Sequence, residues 1–243
     1  MEGVVRKAMN KAISIVYPKR CLFCDEVLSF GEKKPICAEC KPDATWVTGD
    51  ICKKCGKPLE CHRLDLCYDC SRKVKYYNEG RGMWVYEDSV KKAIHKYKYG
   101  NRKGYGKAFA EELYQFYVNN IHWDIDCITS VPLHPAKLKE RSFNQSALIA
   151  DILGERLDIG VDNYLLSRTK NTIPQKDLTD SERILNVMDA FSINILSSST
   201  GKNILIVDDI YTTGSTINSC AKILKTYGAY KVYFLTVAIG KGL

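Results

Sequence analysis

Two adjacent acids, Asp208 and Asp209, follow an apolar run and precede a loop of small and hydroxyl residues in ILIVDDIYTTGST, Ile204 to Thr216. Backbone N–H groups at the start of a helix, with nearby hydroxyls and a glycine that allows close approach, form a cradle for a phosphate. Two carboxylates just before such a cradle accept hydrogen bonds from vicinal hydroxyls close to that phosphate. A ribose 5-phosphate has this layout, so the stretch predicts a sugar-phosphate site.

Two other classes of protein also carry acids after an apolar strand. A phosphate-loop NTPase requires Gly-x-x-x-x-Gly-Lys-Ser/Thr, and the nearest stretch, GNRKGYGKA from Gly100, has the wrong spacing and lacks the hydroxyl. A receiver domain carries its acids on the first strand, whereas these acids come late in the sequence. Both classes are excluded, and the remaining alternative is a buried strand followed by a capped helix.

Cysteine is concentrated in one segment, with nine of the eleven between Cys21 and Cys70. Eight of them form four Cys-x-x-Cys knuckles: Cys21 and Cys24, Cys37 and Cys40, Cys52 and Cys55, Cys67 and Cys70. Two knuckles supply the four sulfurs of a structural zinc site, so the segment predicts two zinc ions. A disulfide framework is disfavoured because no export signal is visible, and redox chemistry because one redox centre does not need four copies.

The pairing of these knuckles is left open by the sequence. Neighbouring pairs give two successive zinc ribbons, which we favour, whereas alternate pairs give an interleaved cross-brace. Cys61 and His62 lie between the third and fourth knuckles. We interpret them as loop residues, with a replacement ligand at the second site as the alternative. The segment has few large apolar residues, so metal binding should supply most of its folding free energy.

Strand and helix patterns alternate after the polar stretch SRKVKYYNEG, Ser71 to Gly80. We predict a domain boundary there, with an N-terminal helix and double zinc ribbon over 1–75 and a second domain over 76–243. The predicted strands are RGMWVYED, CITSVP, NILIVDD and KVYFLTVAI, and the predicted helices are KGYGKAFAEELYQFYVNN, NQSALIADILGERL and STINSCAKILKTYG. This order indicates an α/β domain with a mainly parallel sheet, which binds ligands at the carboxyl ends of its strands.

The 243-residue chain has a formal net charge of +8, which favours an acidic partner such as a nucleic acid, a nucleotide or a phosphate ester. No apolar run reaches the roughly 18 residues of a transmembrane helix. The segment before Cys21 is interrupted by Arg6, Lys7 and Lys11, unlike a signal peptide, so we predict a cytoplasmic protein. Its helical spacing of apolar residues predicts a helix docked on its own protein or, alternatively, one that lies on a membrane surface.

Cations and tyrosines are interleaved in KKAIHKYKYGNRKGYGK, Lys91 to Lys107, which holds seven Lys or Arg, three Tyr and no acid. This composition suits single-stranded nucleic acid, with tyrosines stacked on bases and lysines along the phosphates. Two alternatives stay open. Lys96 and Lys98 point into the sugar-phosphate site, or the segment is a solvated helix and turn.

The ILIVDDIYTTGST stretch resembles the phosphoribosyl-pyrophosphate motif of type I phosphoribosyltransferases. Two further segments resemble one branch of that class, the ComF or ComFC family of competence-associated proteins: VPLHPAKLKERSFNQSALIA and SRTKNTIPQKDLTDSERILNVMDAF. The cysteine-rich segment is similar to the double zinc ribbon of this family, and the resemblance covers roughly residues 18 to 240. One departure is Ser142, where the family usually has glycine; a positive φ angle there costs serine about 1 kcal/mol.

The resemblance implies a type I phosphoribosyltransferase fold that binds phosphoribosyl pyrophosphate chelated to magnesium. Asp208 and Asp209 are then ligands of the ribose hydroxyls. The implied 5-phosphate loop is Tyr211, Thr212, Thr213, Gly214, Ser215 and Thr216, and the implied pyrophosphate loop is Ser130, Val131, Pro132 and Leu133. Positive charge at the leaving pyrophosphate is expected from Arg141, Arg168, Lys170 and Arg183. The segment from Arg168 to Arg183 is a candidate hood, and Gln175 a candidate contact of the acceptor.

Two functions are therefore predicted. One is a phosphoribosyltransferase, with an acceptor that the sequence does not name, that supports DNA uptake in natural transformation. The other is a non-catalytic adaptor that handles single-stranded DNA through the zinc ribbons and the basic segment, with the phosphoribosyl site regulatory or vestigial. The implied partners are phosphoribosyl pyrophosphate, single-stranded DNA and DNA-uptake proteins such as a competence helicase.

Overall fold

The structure is a computed structural model. It describes residues 18–29, 31–32, 34–60, 64–100, 102–169, 190–194 and 197–242. The predicted N-terminal helix, the residues Cys61, His62, Lys170, Gln175 and Arg183, and most of the candidate hood lie outside these residues. Their predicted roles stay predictions.

Strands and helices alternate as the sequence predicts. The strands are β1 (Glu79–Val85), β2 (Cys127–Ser130), β3 (Leu166–Arg168), β4 (Phe191–Ile193), β5 (Asn203–Tyr211) and β6 (Lys231–Ile239). The helices are α1 (Tyr68–Arg72), α2 (Asp88–Tyr99), α3 (Gly104–Asn120), α4 (Pro135–Arg141), α5 (Gln145–Leu157) and α6 (Ser215–Thr226). The four predicted strands and the three predicted helices, α3, α5 and α6, are confirmed, and α1, α2, α4 and the β3–β4 hairpin add to them. In the described part of the chain, no helix combines the length and apolar character needed to cross a membrane.

The central sheet has four strands in the order β1-β6-β5-β2, and every neighbouring pair is parallel. Leu205 and Val207 of β5 pack in a cluster with α2, α3 and α5. Ile204 and Ile206 pack on the opposite face with α6 and the antiparallel β3–β4 hairpin. Because β5 is buried on both faces, its sequence is a continuous apolar run rather than an alternating one. The predicted α/β class with a mainly parallel sheet is confirmed.

The cysteine-rich segment packs on both faces of this sheet. Buried residues between Cys21 and Ala44 belong to the hydrophobic cluster that contains α2 and α3. There Phe23 meets Trp84 of β1 edge-on, with the ring centroids 5.8 Å apart. Cys52, Cys55 and Cys67 belong to the cluster that contains α6. The cysteine-rich segment and the sheet therefore share their hydrophobic clusters.

Residues 45–47 connect the two halves of the cysteine-rich segment and lie along the edge strand β1. The backbone N–H of Val47 donates to the carbonyl oxygen of Met83 at 3.1 Å, and that of Val85 donates to the carbonyl oxygen of Thr45 at 2.8 Å. This pairing covers a sheet edge that would otherwise leave its backbone groups open to another chain. The domain boundary near residue 75 stays a prediction.

Candidate functional site

An open cleft of about 280 Å³ lies at the carboxyl ends of β2 and β5. Its lining comes from helices α2 and α4, the starts of α5 and α6, strands β3 and β5, and the loops after β1, β2 and β5. Both Asp208 and Asp209 face it. The cleft therefore occupies the edge at which parallel sheets bind ligands.

Asp208 is held by the first turn of α5. The side chain of Asn144 caps this helix by accepting from the backbone N–H of Ser146 at 3.1 Å. The Ser146 hydroxyl in turn donates to Oδ1 of Asp208 at 2.7 Å. Burial raises the pKa of Asp208 to about 7, and the negative charge of Asp209 adds to this effect. The carboxyl group is therefore fixed in position and titrates near neutral pH.

Asp209 forms an ion pair with Lys98 of α2, with Nζ and Oδ1 2.8 Å apart and side chains that are 19% and 10% exposed. Burial alone would lower the pKa of Lys98, but attraction to Asp209 outweighs it and the pKa is raised. Lys98 is therefore a cation that lines the cleft. Lys96, the other lysine predicted to point there, instead donates to the carbonyl oxygen of Phe23 at 3.3 Å.

Four cations and two carboxylates line the cleft, so its charge is positive. The cations are Lys98, Lys137, Arg141 and Arg168. Burial lowers the pKa of Lys137, and the charges of Arg168 and Arg141 lower it further. Arg141 donates to the hydroxyl of Tyr99 at 2.8 Å and lies over its ring. A lining of this charge suits a ligand that carries several negative charges.

Ser142, where the family usually has glycine, directly follows Arg141 in the sequence. Ser142 has φ 65°, in the left-handed region that glycine adopts most easily. It ends α4 with its backbone N–H donating to the carbonyl oxygen of Leu138 at 2.8 Å. The serine therefore carries the expected cost of about 1 kcal/mol.

The β5–α6 loop, residues 212–216, surrounds a small depression beside the cleft, and Thr212 and Thr216 line both. Gly214 has φ 78° and directly precedes α6. The first backbone N–H groups of a helix have no partner within the helix, so those of α6 can act as donors at this depression. The hydroxyl oxygens of Thr213 and Ser215 are 2.9 Å apart. Tyr211 differs from these residues because its ring is 1% exposed and packs in the core.

The loop after β2 supplies a second wall of the cleft. Val131 and Leu133 line the cleft, whereas Ser130 and Pro132 are buried. The loop is tied to β5 because the backbone N–H of Val131 donates to the carbonyl oxygen of Val207 at 3.0 Å. The structure thus brings the two predicted loops and the two acids together around one cleft.

Several cleft residues have no counterpart in the predicted set: Tyr86, Lys137, Gln145 and Ser146. Lys137, Gln145 and Ser146 fall within the VPLHPAKLKERSFNQSALIA segment, so the segment was a usable signal for the region and not for the individual side chains. Gln145 is 1% exposed, and its Nε2 has no hydrogen-bond partner among the described residues. This amide is available to a ligand.

The basic segment is mostly helix α2 and the start of α3. Tyr97 is fully buried and donates to the carbonyl oxygen of Gln145 at 2.9 Å, and Tyr105 is 4% exposed. Neither ring is available to stack on a base, which corrects the predicted use of the three tyrosines. Tyr99 is 57% exposed. Burial of an amphipathic helix face, rather than nucleic-acid stacking, accounts for two of the three aromatic residues.

The raised pKa of Asp208 predicts a pH-dependent change in stability. An aspartate in the unfolded chain has a pKa of about 4, so from about pH 4 to 7 the folded protein retains a proton that the unfolded chain has lost. The free energy of unfolding should fall as the pH rises through this range. Asp208→Asn removes this contribution, so its stability relative to wild type should be greater at pH 8 than at pH 5 in urea denaturation. The exposed Asp158→Asn serves as the control, and an Asp208→Asn difference that is equal at both pH values would contradict the prediction.

The eight knuckle cysteines form two groups, each with its four sulfurs within 4.8 Å of one another: Cys21, Cys24, Cys37 and Cys40; and Cys52, Cys55, Cys67 and Cys70. Sulfurs of Cys24 and Cys37 are 3.8 Å apart, and those of Cys55 and Cys67 are 3.6 Å apart. Four sulfurs around a tetrahedral zinc are about 3.8 Å apart, so both groups fit zinc. The groups join neighbouring knuckles, which confirms successive ribbons and makes the cross-brace wrong. We call them the first and second cysteine clusters.

Two family models match the chain. Residues 12–75 match a double zinc ribbon domain, and residues 144–241 match a phosphoribosyl transferase domain. With the parallel sheet and the two cysteine clusters, these matches define the class of protein: a type I phosphoribosyltransferase fold that carries an N-terminal double zinc ribbon.

Similar proteins span nearly the same length. The chain is 26% identical to the competence protein ComFC of Bacillus subtilis over 235 residues, which cover 90% of this chain and 94% of that one. It is 26% identical to competence protein F of Haemophilus influenzae, over 88% of this chain and 93% of that one. It is 29% identical to the DNA utilization protein YhgH of Escherichia coli, over 90% and 96%. The predicted resemblance to the ComF family is confirmed by these relatives, which are 26% to 29% identical to the chain over 88% to 90% of its length.

Proposed function

We propose that the cleft binds phosphoribosyl pyrophosphate with magnesium, and that the protein is a cytoplasmic phosphoribosyltransferase that supports DNA uptake. The observation that carries the proposal is the meeting of an acid pair, the β5–α6 loop and four cations around one cleft. The acids and loop fit a ribose 5-phosphate, and the positive lining fits its pyrophosphate. The names of the relatives, competence protein and DNA utilization protein, support the cellular role.

The acid pair would bind the ribose. Oδ1 of Asp208 is already positioned by Ser146, and its carboxylate would accept a hydrogen bond from one ribose hydroxyl. Asp209 would accept from the other and would exchange its ion pair with Lys98 for that bond. Lys98 would then be free to bind an oxygen of the pyrophosphate. Formation of these bonds favours the charged form of Asp208, so binding near neutral pH should release a proton.

The β5–α6 loop would bind the 5-phosphate through the backbone N–H groups at the start of α6 and through hydroxyl groups. The hydroxyls are those of Thr212, Thr213, Ser215 and Thr216. The φ angle of 78° at Gly214 turns the chain so that these groups surround one depression. A phosphate there would also gain from the positive end of the dipole of α6.

The pyrophosphate would lie between the loop after β2 and the cations of the cleft. As the bond to the anomeric carbon breaks, negative charge grows on the pyrophosphate and positive charge on the sugar. Lys137, Arg141 and Arg168 would stabilise the leaving group, with magnesium arriving as part of the substrate. Arg183, which lies outside the described residues, is a further candidate. The acceptor would enter from the open side of the cleft.

A second candidate function is an adaptor for single-stranded DNA. The exposed lysines Lys91, Lys92, Lys103 and Lys107 on α2, on α3 and between them favour contact with phosphates. The name of the Escherichia coli relative, DNA utilization protein, agrees with this role. Because Lys98 lies in the cleft, the two functions have separate sets of lysines.

Calorimetry with magnesium and phosphoribosyl pyrophosphate tests the first function. We expect the zinc-loaded protein to bind with a dissociation constant on the order of micromolar to tens of micromolar. An Asp208→Asn, Asp209→Asn double variant should lose this binding because an amide pair cannot replace two carboxylate acceptors. The wild type should also release pyrophosphate when a competent acceptor is supplied.

The matched control for this experiment is Asp158→Asn. Asp158 is an exposed acid at the C-terminal end of α5, and the 13 residues of that helix span about 20 Å from the cleft end. The control should bind as the wild type does. A folded, zinc-loaded wild type that binds nothing would refute the transferase function, and the adaptor function would then lead.

A further inference from the structure

Two buried tyrosines lie between the second cysteine cluster and the β5–α6 loop. The hydroxyl oxygens of Tyr77 and Tyr211 are 2.6 Å apart, and each side chain is 1% exposed. Tyr77 lies just before β1, and Tyr211 is the last residue of β5. Neither belongs to the lining of the cleft itself. Their pairing joins residues that are 134 positions apart in the chain.

On one side, the β5–α6 loop rests on the ring of Tyr211. A Cβ atom placed on Gly214 would lie 2.3 Å from the Tyr211 hydroxyl oxygen, so the ring passes directly beneath the loop. The ring is stacked on Phe234 of β6, with centroids 4.5 Å apart and planes 4° from parallel. The position of the Tyr211 hydroxyl therefore limits where Gly214 and its neighbours can lie.

On the other side, Tyr77 contacts the second cysteine cluster. Its hydroxyl oxygen is 3.8 Å from Sγ of Cys70, within hydrogen-bonding range of a sulfur acceptor. Cys70 as a zinc ligand is a thiolate and can only accept, so Tyr77 would donate to Cys70 and accept from Tyr211.

Two further contacts attach the second cysteine cluster to the same region. Asn218, in the first turn of α6, accepts from the backbone N–H of Tyr76 at 2.7 Å and donates to the carbonyl oxygen of Val74 at 3.0 Å. Lys57 is 5% exposed, pairs with Asp69 inside the fourth knuckle at 3.0 Å, and lies 5.9 Å from the centre of the Tyr211 ring. The cluster is thus fixed against the helix that follows the loop.

We infer that Tyr77 is a positioning residue that couples the second cysteine cluster to the β5–α6 loop. Tyr77 holds the Tyr211 hydroxyl under Gly214, and the cluster holds Tyr77 through Cys70. The loop then has the shape that binds a phosphate only while the cluster is intact. The effect on ligand affinity rests on the proposed function, whereas the effect on the shape of the loop does not.

The test is Tyr77→Phe, which removes one hydroxyl and keeps the ring. Without ligand, the backbone amide resonance of Gly214 should move in a nitrogen-15 NMR spectrum. Ribose 5-phosphate should bind about tenfold more weakly, the size of one lost hydrogen bond between buried groups. Magnesium pyrophosphate alone should bind as it does to wild type, because it does not use this loop. Combination with Tyr211→Phe should add little further loss, since both variants break the same bond.

Tyr117→Phe is the matched control. Tyr117 is a buried residue of α3, and its hydroxyl donates to the carbonyl oxygen of Trp123, just after that helix, at 3.0 Å; neither residue lines the cleft. It should lose similar stability without changing the Gly214 resonance or either affinity. An unchanged Gly214 resonance in Tyr77→Phe would overturn the coupling. A shifted resonance in a protein that binds no ribose 5-phosphate would uphold the coupling and refute the proposed function.

Discussion

Replacement of Gly214 by alanine is expected to abolish the proposed binding of phosphoribosyl pyrophosphate and to lower the free energy of unfolding by about 2–5 kcal/mol. Two effects add. Alanine is strained at φ 78°, and its Cβ would lie 2.3 Å from the Tyr211 hydroxyl oxygen. Tyr211 cannot move away easily because its ring is fully packed against Phe234. The loop must therefore shift, and the backbone donors at the start of α6 shift with it. Calorimetry and urea denaturation measure the two losses.

Gly201→Ala separates strain from collision. Gly201 has φ 73°, similar to Gly214, but no atom lies within 4 Å of its Cβ position. It precedes β5, at the opposite end of the strand from the cleft. We expect it to cost about 1–2 kcal/mol in stability and nothing in ligand affinity. Equal behaviour of the two variants in both measurements would show that the ring beneath Gly214 does not shape the loop.

Cys52→Ser should reduce the zinc content from two ions per chain to one and lower the melting temperature by about 10 °C or more. Cys52, Cys55 and Cys67 are at most 1% exposed, so loss of the ion leaves their thiols buried in the hydrophobic cluster that also contains residues of α6. A structural zinc contributes about 10 kcal/mol or more to the folding of its own ligands. Metal analysis by mass spectrometry and a thermal melt check both parts.

Cys127→Ser is the control because Cys127 lies outside both clusters and is partly exposed. It should retain two zinc ions and melt close to wild type. The exposed Cys24 of the first cluster gives an intermediate case, since Cys24→Ser should lose one ion with a smaller effect on the melt. Retention of two ions by Cys52→Ser would contradict the assignment of the second cluster as a zinc site.

The strands of the central sheet were predictable because they are buried on both faces and therefore appear in the sequence as runs of consecutive apolar residues. NILIVDD and KVYFLTVAI are long apolar runs, and a central parallel strand has no other signature. The β3–β4 hairpin was not predictable, since each of its strands has three residues and too few positions for a period to be visible. The order of the strands in the sheet could not be predicted either, because the sequence does not show beside which strand each crossover connection places the next one.

The acids and the β5–α6 loop were predictable because one short stretch carries them both. The four cations were harder because they come from three elements, α2, α4 and β3, that meet only in the fold. Lys98 belongs to a segment whose composition fits three different uses, and only the burial of Tyr97 and Val90 fixes which helix face turns inward. Stacking on bases was one of the uses left open for the tyrosines of that segment, because composition does not reveal which aromatic residues the core requires.

The contacts of the second cysteine cluster span most of the chain. Tyr76 and Asn218 are 142 positions apart, and Tyr77 and Tyr211 are 134 apart. During synthesis the knuckles are complete long before β5 and α6 exist, so this ribbon can bind metal while its docking partner is still missing. Contacts of such separation form late and slowly. We therefore expect refolding of the zinc-loaded chain to end with a slow docking step, in which the ribbon closes against α6 and the cleft acquires its final shape.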